Sequence, residues 1–290
     1  DVVYDRISSR TSEGRKVVKS TKRRLMEISS LKYFNPSFLN KWKVYQMLIG
    51  NPELQLYLPE TRQLNLENLE EMLEKYPALY LKPSNGSLGK GIIKVRHDNK
   101  GNLRYVIYRG RRIRSQASNA EELFKKTRKA RKGRAYIVQN DLNLATFTGA
   151  PFDIRIIYQK NSRGEWQISK KFVRIAPRGS SISNLSSGGR PEKSSRVLKR
   201  LFRKKSVINE KNAEIKKLCS IVAKTLEEAC NANFGELGLD IGITKDGNPC
   251  LIEVNSKPRK TTETQLSAAI VRNTFRRPLE YSIYLAGFNG

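Results

Sequence analysis

The chain has 290 residues, 38% of them hydrophobic, with 56 Lys and Arg against 27 Asp and Glu, a formal charge of +29. That apolar content fills one large domain or two smaller lobes, and gives no support to disorder over most of the length. No apolar run approaches the roughly 18 residues that span a bilayer, the first residues do not read as a secretory signal, and a single histidine excludes multi-histidine metal sites and argues against a Ser-His-Asp triad.

In chain order, a first basic cluster runs from Arg15 to Arg24 and reads as a solvated helix face. The run Ala78-Leu79-Tyr80-Leu81 has the character of an interior strand, and Ile92-Ile93-Lys94-Val95 that of its returning partner. Between them lies Lys82-Pro83-Ser84-Asn85-Gly86-Ser87-Leu88-Gly89-Lys90-Gly91. The segment therefore predicts a hairpin with a glycine-rich loop. Its glycines let successive backbone amides approach a ligand, and Lys82 and Lys90 add full charges, a composition suited to polyphosphate. The spacing is neither that of a Walker A loop nor that of a dinucleotide fingerprint. A plain flexible hairpin, with Lys82 reaching solvent at the strand end, is the alternative.

His97 precedes Asp98-Asn99-Lys100-Gly101 and is expected on a surface turn. Residues 104–134 carry twelve Lys or Arg against two Glu. Ala135-Tyr136-Ile137-Val138 predicts another strand, followed by Gln139. In Phe152-Asp153-Ile154-Arg155-Ile156-Ile157-Tyr158, Asp153 and Arg155 share a strand face, and Arg174 interrupts a second apolar run, Lys171 to Ile175. An arginine on a half-buried strand requires a partner, because an uncompensated buried charge costs about 3–5 kcal/mol. Asp153 or another carboxylate can serve Arg155; the strand of Arg174 offers none. The Ser- and Gly-rich stretch from Pro177 to Pro191 is a loop, either an inert connector or a substrate loop whose Gly188-Gly189 amides approach a small anion. Residues 190–217 carry eleven basic residues against three Glu. Cys219 and Cys230 fall on a helical pattern, Cys250 stands apart, and no paired spacing is present, so core thiols in a reducing, intracellular setting are expected.

The last informative segment is Gly235 to Ile243, an Asp246-Gly247 turn, then Cys250-Leu251-Ile252-Glu253-Val254-Asn255. It predicts a hairpin in which Glu253 and Asn255 share a face and Asp240 on the partner strand joins them. Opposed carboxylates repel unless neutralised, and oxygen donors of this kind suit Mg²⁺ shared with substrate phosphates. An exposed polar hairpin face is the alternative.

Lys82-Pro83 with its glycine loop, Asp240 and Glu253-Val254-Asn255 together resemble the ATP-grasp superfamily, and within it the YheC/YheD-like group of endospore coat-associated proteins. Tyr4-Asp5-Arg6-Ile7, Asn40-Lys41-Trp42, Leu58-Pro59-Glu60-Thr61, Phe152 to Arg155 and Gly188-Gly189 carry the group resemblance across nearly the whole chain. It implies an α+β fold: two α+β subdomains with a nucleotide cleft between them and a β-hairpin lid. The expected divisions are 1–35, the tail of a preceding small domain and a linker; 36–76, a helical part of the core; 77–140, the lid with its phosphate loop; and 141–290, the large subdomain with the metal site. Because the chain opens on Asp1 and not on methionine, an upstream piece is expected.

By position, the resemblance makes Lys41 and Lys82 nucleotide-binding lysines, Ser84, Gly86, Ser87, Gly89, Lys90 and Gly91 the phosphate loop, and Gln139 a residue near the adenine. Asp240, Glu253 and Asn255 resemble the magnesium ligands, with two Mg²⁺ ions expected beside ATP. The acidic ribose ligand common in the superfamily is not evident, Asn143 to Thr146 standing in its place. The implied reaction is ATP-dependent joining of a carboxylate to an amine through an acyl phosphate, with Arg155 and Arg174 facing the acyl-phosphate oxygens. Such chemistry needs electrostatic clamping more than a dedicated nucleophile. The basic surplus makes an acidic peptide or polymer a candidate substrate, steered by charge. Nucleic acid is not the expected partner, because aromatics are not interleaved with the basic runs beyond Tyr105 and Tyr108, and no membrane partner is expected. Cytoplasmic residence with association to the spore coat follows from the resemblance. Two competing readings are an ATP-binding coat or polyanion-binding scaffold without turnover, and a kinase that transfers phosphate without forming an amide.

Overall fold

The structure is a computed structural model that describes residues 1–86, 89–109, 111–177, 183, 185, 188–262 and 264–288. Ser87 of the expected phosphate loop lies outside the described residues, as does most of the 178–187 stretch.

The first residues form β1 (Val2–Tyr4), α1 (Arg10–Glu13), α2 (Lys16–Met26) and β2 (Lys32–Phe34), with β1 and β2 paired in parallel. This segment is held by buried charges. Asp5 and Glu13 each meet both Lys22 and Lys257 at 2.6–2.9 Å, and Glu236 meets Arg6 and Lys260 at 2.8 and 2.9 Å. Asn35 is fully buried and accepts the Gly235 amide at 2.8 Å. A buried ion pair loses several kcal/mol when one partner goes, so these contacts fix residues 1–35 beside the end of the later hairpin.

Next come α3 (Lys41–Ile49), a 3₁₀ turn (Pro52–Tyr57), β3 (Thr61–Gln63) and α4 (Leu66–Lys75). Asn40 and Asn65 cap the two helices, each accepting amides of the first turn. The 36–76 stretch divides between two cores. Leu39, Val44, Leu48 and Leu54 join the large-subdomain core, whereas Leu69, Met72 and Leu73 of the amphipathic α4 pack under the lid.

The lid consists of β4 (Ala78–Pro83), β5 (Ile92–His97), β6 (Leu103–Arg109), β7 (Arg111–Ala117), α5 (Ala120–Arg131) and β8 (Tyr136–Asn140). Its antiparallel sheet runs in the order β3-β8-β4-β5-β6-β7. Leu79, Leu81, Ile93, Val95, Leu103, Tyr105 and Ile107 alternate onto one face and pack against α4 and α5. The other face, carrying Lys82 and Gln139, is left open toward the cleft. The predicted hairpin is present, with Leu81 opposite Ile93. Gly91 has φ +81°, a conformation that costs a glycine little, and its amide closes the loop onto the Tyr108 carbonyl at 2.7 Å.

The large subdomain contains β9 (Thr146–Phe147), β10 (Ala150–Lys160), β11 (Trp166–Ile175), β12 (Arg190–Glu192), α6 (Ser194–Phe202), α7 (Lys205–Cys230), β13 (Glu236–Ile243), β14 (Pro249–Asn255) and α8 (Ala268–Leu285). The antiparallel sheet order is β12-β11-β10-β13-β14, with β9 beside β10. β10 is buried from Phe152 to Lys160 because both faces are covered. Phe152, Ile154, Ile156 and Tyr158 meet the core under α7, where Leu218, Cys219 and Val222 are fully buried. The other face carries Asp153, Arg155 and Gln159, and the Gln159 amide donates to the Thr274 carbonyl of α8 at 2.8 Å. Cys219, Cys230 and Cys250 are free thiols, the first and last buried.

Candidate functional site

Between the lid sheet and the large sheet lies a cleft with about 950 Å³ of space, part of it open to solvent. Of the residues singled out in the sequence, Lys41, Lys82, Gly86, Gly89, Lys90, Gln139, Arg174, Asp240 and Glu253 line it. Ser84, Gly91, Arg155 and Asn255 are not in its wall among the described residues. Ser84 is buried and spends its backbone on α3: its carbonyl accepts the Lys41 amide at 2.9 Å. The Gly91 carbonyl accepts the Tyr136 hydroxyl at 2.8 Å.

One bond spans the two predicted halves of the site. Lys41 Nζ donates to the Gly86 carbonyl in the phosphate loop at 2.9 Å and to Glu253 Oε1 on β14, also at 2.9 Å. Asn40 places this lysine: it caps α3 by accepting the Trp42 and Lys43 amides, and its side-chain amide donates to Asn85 Oδ1 at 2.8 Å. The loop, the helix start and the carboxylate strand therefore meet at one point.

Lys82 stands on the lid wall and donates to Gln139 Oε1, while Gln139 Nε2 donates to Thr61 Oγ1 at 2.8 Å. Burial pushes the Lys82 ammonium down to about 8, with Glu253 opposing that shift and Lys41 adding to it. A cation that is costly to keep charged in the folded chain gains most from an arriving anion. Gln139 serves first as the hydrogen-bond partner of Lys82.

On the opposite wall, four charged side chains of β10, β11 and β13 form a buried row. Arg155 NH1 donates to Asp240 Oδ1 at 2.7 Å, Arg174 meets Asp240 Oδ2 at 2.8 Å, and Arg174 Nε donates to Asp153 Oδ1 at 2.7 Å. Ser183 donates its hydroxyl to Asp153 Oδ2. Strand register explains the grouping: Arg174 is directly opposite Asp153, and Arg155 is opposite Asp240. Gly238 makes room, since a Cβ there would lie 2.9 Å from the Arg155 guanidinium and 2.8 Å from Pro258. Burial works against the charge of Asp240, but Arg155 and Arg174 hold its carboxyl below the usual range. Burial and the Asp240 charge raise that of Asp153 against the pull of Arg174, and the two aspartates raise the Arg174 guanidinium well above its own. Of the two partners expected for Arg155, Asp153 or another carboxylate, it is the other, Asp240, that it meets, while Asp153 pairs with Arg174.

Asp240 and Glu253 are directly opposed across β13 and β14, and Asn255 follows two residues along the same strand, opposite Gly238. The described residues hold no group of three His, Cys, Asp or Glu side chains suited to a metal ion. Two carboxylates and an amide oxygen are donors of the kind a hard cation such as Mg²⁺ takes beside water and phosphate.

Sequence reasoning passed over Tyr80, Asp141, Leu142, Leu144 and Ile252, which also line the cleft. Asp141, two residues after Gln139, accepts Lys94 at 2.7 Å. Its signal was its place directly after an apolar strand.

A family model described as YheC/D-like ATP-grasp matches residues 30–285. The chain is 29% identical over 292 residues to the endospore coat-associated protein YheD of Bacillus subtilis (strain 168), covering 99% of this chain and 63% of YheD. It is 26% identical to YheC of the same organism, covering 98% of this chain and 78% of YheC. Among solved structures it is similar in fold to D-alanyl-alanine synthetase A of Vibrio cholerae, with a TM-score of 0.53, 13% identity and coverage of 92% of this chain and 71% of that one. The chain thus spans about three fifths of the length of YheD.

Proposed function

The chain belongs to the YheC/D-like ATP-grasp family, and from that premise we propose that it is an ATP-dependent carboxylate-amine ligase that forms an amide through an acyl phosphate. The observation that carries this reading is the meeting of Lys41, the phosphate loop and Glu253 in one cleft with Lys82 and Asp240. Cations and loop amides on one wall suit a triphosphate, and oxygen donors on the other suit its metal.

In this reading Lys41 and Lys82 hold the phosphates, with the amide of Gly89 beside them. Asp240, Glu253 and Asn255 are the residues that would hold Mg²⁺, which would neutralise the phosphoryl oxygens. Lys41 and Glu253, paired with each other at 2.9 Å, are the residues that would serve the phosphates and the ion respectively. A carboxylate oxygen of the acid attacks the γ-phosphorus as its bond to ADP breaks. The amine nitrogen then bonds to the acyl carbon, inorganic phosphate leaves, and the amine releases a proton. Arg174 lines the cleft and in this reading meets the acyl phosphate, while Arg155 acts through Asp240 as a positioning residue. Leu142, Leu144 and Ile252 offer the apolar surface for the base, and Asp141 the acceptor for the ribose. The net charge favours an acidic peptide or polymer as the carboxylate substrate. The names of the relatives suggest association with the spore coat.

The scaffold reading has one observation in its favour: both oxygens of Asp240 are already engaged by arginines. Turnover of Mg-ATP with a panel of amino acids and acidic peptides, followed by mass spectrometry, separates the alternatives. The ligase reading predicts ADP and phosphate release that depends on added amine, with an amide product. ATP binding without turnover favours the scaffold, and phosphate transfer without an amide favours the kinase.

A further inference from the structure

The open face of the lid continues beyond the cleft. Register carries it outward along three rungs: Gln139, Tyr80, Lys94, Val106 and Arg114; Ile92, Tyr108 and Arg112; and Ala78, Arg96, Arg104 and Gln116. Tyr80, Ile92 and Gln139, at the inner ends, line the cleft. At the outer ends Arg96, Arg104, Arg112 and Arg114 are exposed. Lys94 is tied to Asp141 and Arg104 to Asp98, but among the described residues neither Arg96 nor Arg114 has a carboxylate within ion-pair distance. Neighbouring strands lie about 4.8 Å apart and same-face residues of one strand about 6.8 Å apart, so the like charges of this face repel unless a counter-charge arrives from outside.

We propose that this outer half of the lid face docks an acidic polypeptide segment and leads one of its carboxylates into the cleft. The inference rests on the ligase reading and names where its substrate binds. The charge is complementary, and the repeat is commensurate. Arg112 and Arg114 sit two residues apart on a strand, a step of about 6.8 Å, which is also the step between alternate side chains of an extended peptide. A single-stranded nucleic acid fits less well, because it needs exposed aromatic platforms and Tyr108 is half-buried. The face is continuous with the residues that flank Lys82, so a docked segment is already at the mouth of the site.

Fluorescence anisotropy with labelled oligoglutamate, in the absence of nucleotide, tests this. The wild type binds, with affinity falling steeply as salt rises. The double variant Arg96→Glu with Arg114→Glu binds at least about tenfold more weakly, about 1.4 kcal/mol. Lys199→Glu with Arg200→Glu makes the same charge change at exposed positions of α6 and stays within about twofold of the wild type. Equal weakening by the two double variants overturns the proposal, since bulk charge then explains adsorption. Preference for labelled oligodeoxythymidine that is lost only in the lid variant overturns it in favour of nucleic acid. Calorimetric ATP binding, expected unchanged in both variants, reports their folding; a wild type that adsorbs the peptide but not ATP contradicts the ligase reading alone.

Discussion

Arginines occupy two regions of this molecule under opposite conditions. In the large subdomain Arg155 and Arg174 are buried between Asp153 and Asp240, each within 2.8 Å of a carboxylate. On the outer lid Arg96 and Arg114 stand in solvent with no carboxylate at ion-pair distance among the described residues. The buried pair fixes carboxylates in place and cannot be spared, whereas the exposed pair adds little to the fold and is available to a partner. Where a charge sits therefore decides whether it serves architecture or recruitment.

The sharpest way to break that contrast is Asp240→Ala, which takes from the buried Arg155 its carboxylate and leaves Arg174 with Asp153 alone. Urea denaturation should show a loss of about 3–5 kcal/mol. An unchanged midpoint would mean that the row carries no structural load. Glu253→Gln tests the boundary between the regions, since the Lys41–Glu253 pair is partly exposed. Turnover should fall by about 10²–10³-fold through the lost charge at the metal site, while stability changes by less than about 1 kcal/mol. Comparable losses in both would make Glu253 a structural partner of Lys41.

Lys82 gives a pH signature. Its ammonium is pushed down to about 8 by burial, against about 10.4 in an unfolded chain. The charged form binds phosphate, so ATP affinity should fall as pH rises through 8, by at most about tenfold per unit, with proton uptake on binding seen by calorimetry in two buffers. The stability slope has the opposite sign. From about pH 8 to 10.4 the unfolded chain binds more protons at this site, so Lys82 raises stability with pH in that window. A pH-independent affinity would place the ammonium off the phosphates. The smallest effect belongs to Arg114→Ala, expected within about 0.5 kcal/mol of the wild type in urea; a larger loss would erase the difference between the two regions.

Much of the lid and of the carboxylate hairpin was legible in the sequence because their signals are local. Period-two alternation and turn residues place β4 and β5 around the glycine loop, and β13 and β14 around Asp246-Gly247. Lys82, Asp240 and Glu253 follow from strand ends and strand faces. The partners of Asp240 did not, because Arg155 and Arg174 reach it across strand registers far apart in sequence. Likewise the Lys41–Glu253 bond joins residues 212 positions apart. The pairings of Lys22, Lys257 and Glu236 that hold residues 1–35 are announced by no single segment either.

The central claim is that two walls of one cleft grip a metal-bound triphosphate, and ATP titration of wild type and Lys82→Met by calorimetry tests it most directly. One ATP per chain is predicted, bound more tightly with Mg²⁺ present, and at least about 30-fold more weakly in Lys82→Met. Equal ATP affinity in the two proteins, with no response to Mg²⁺, would contradict it.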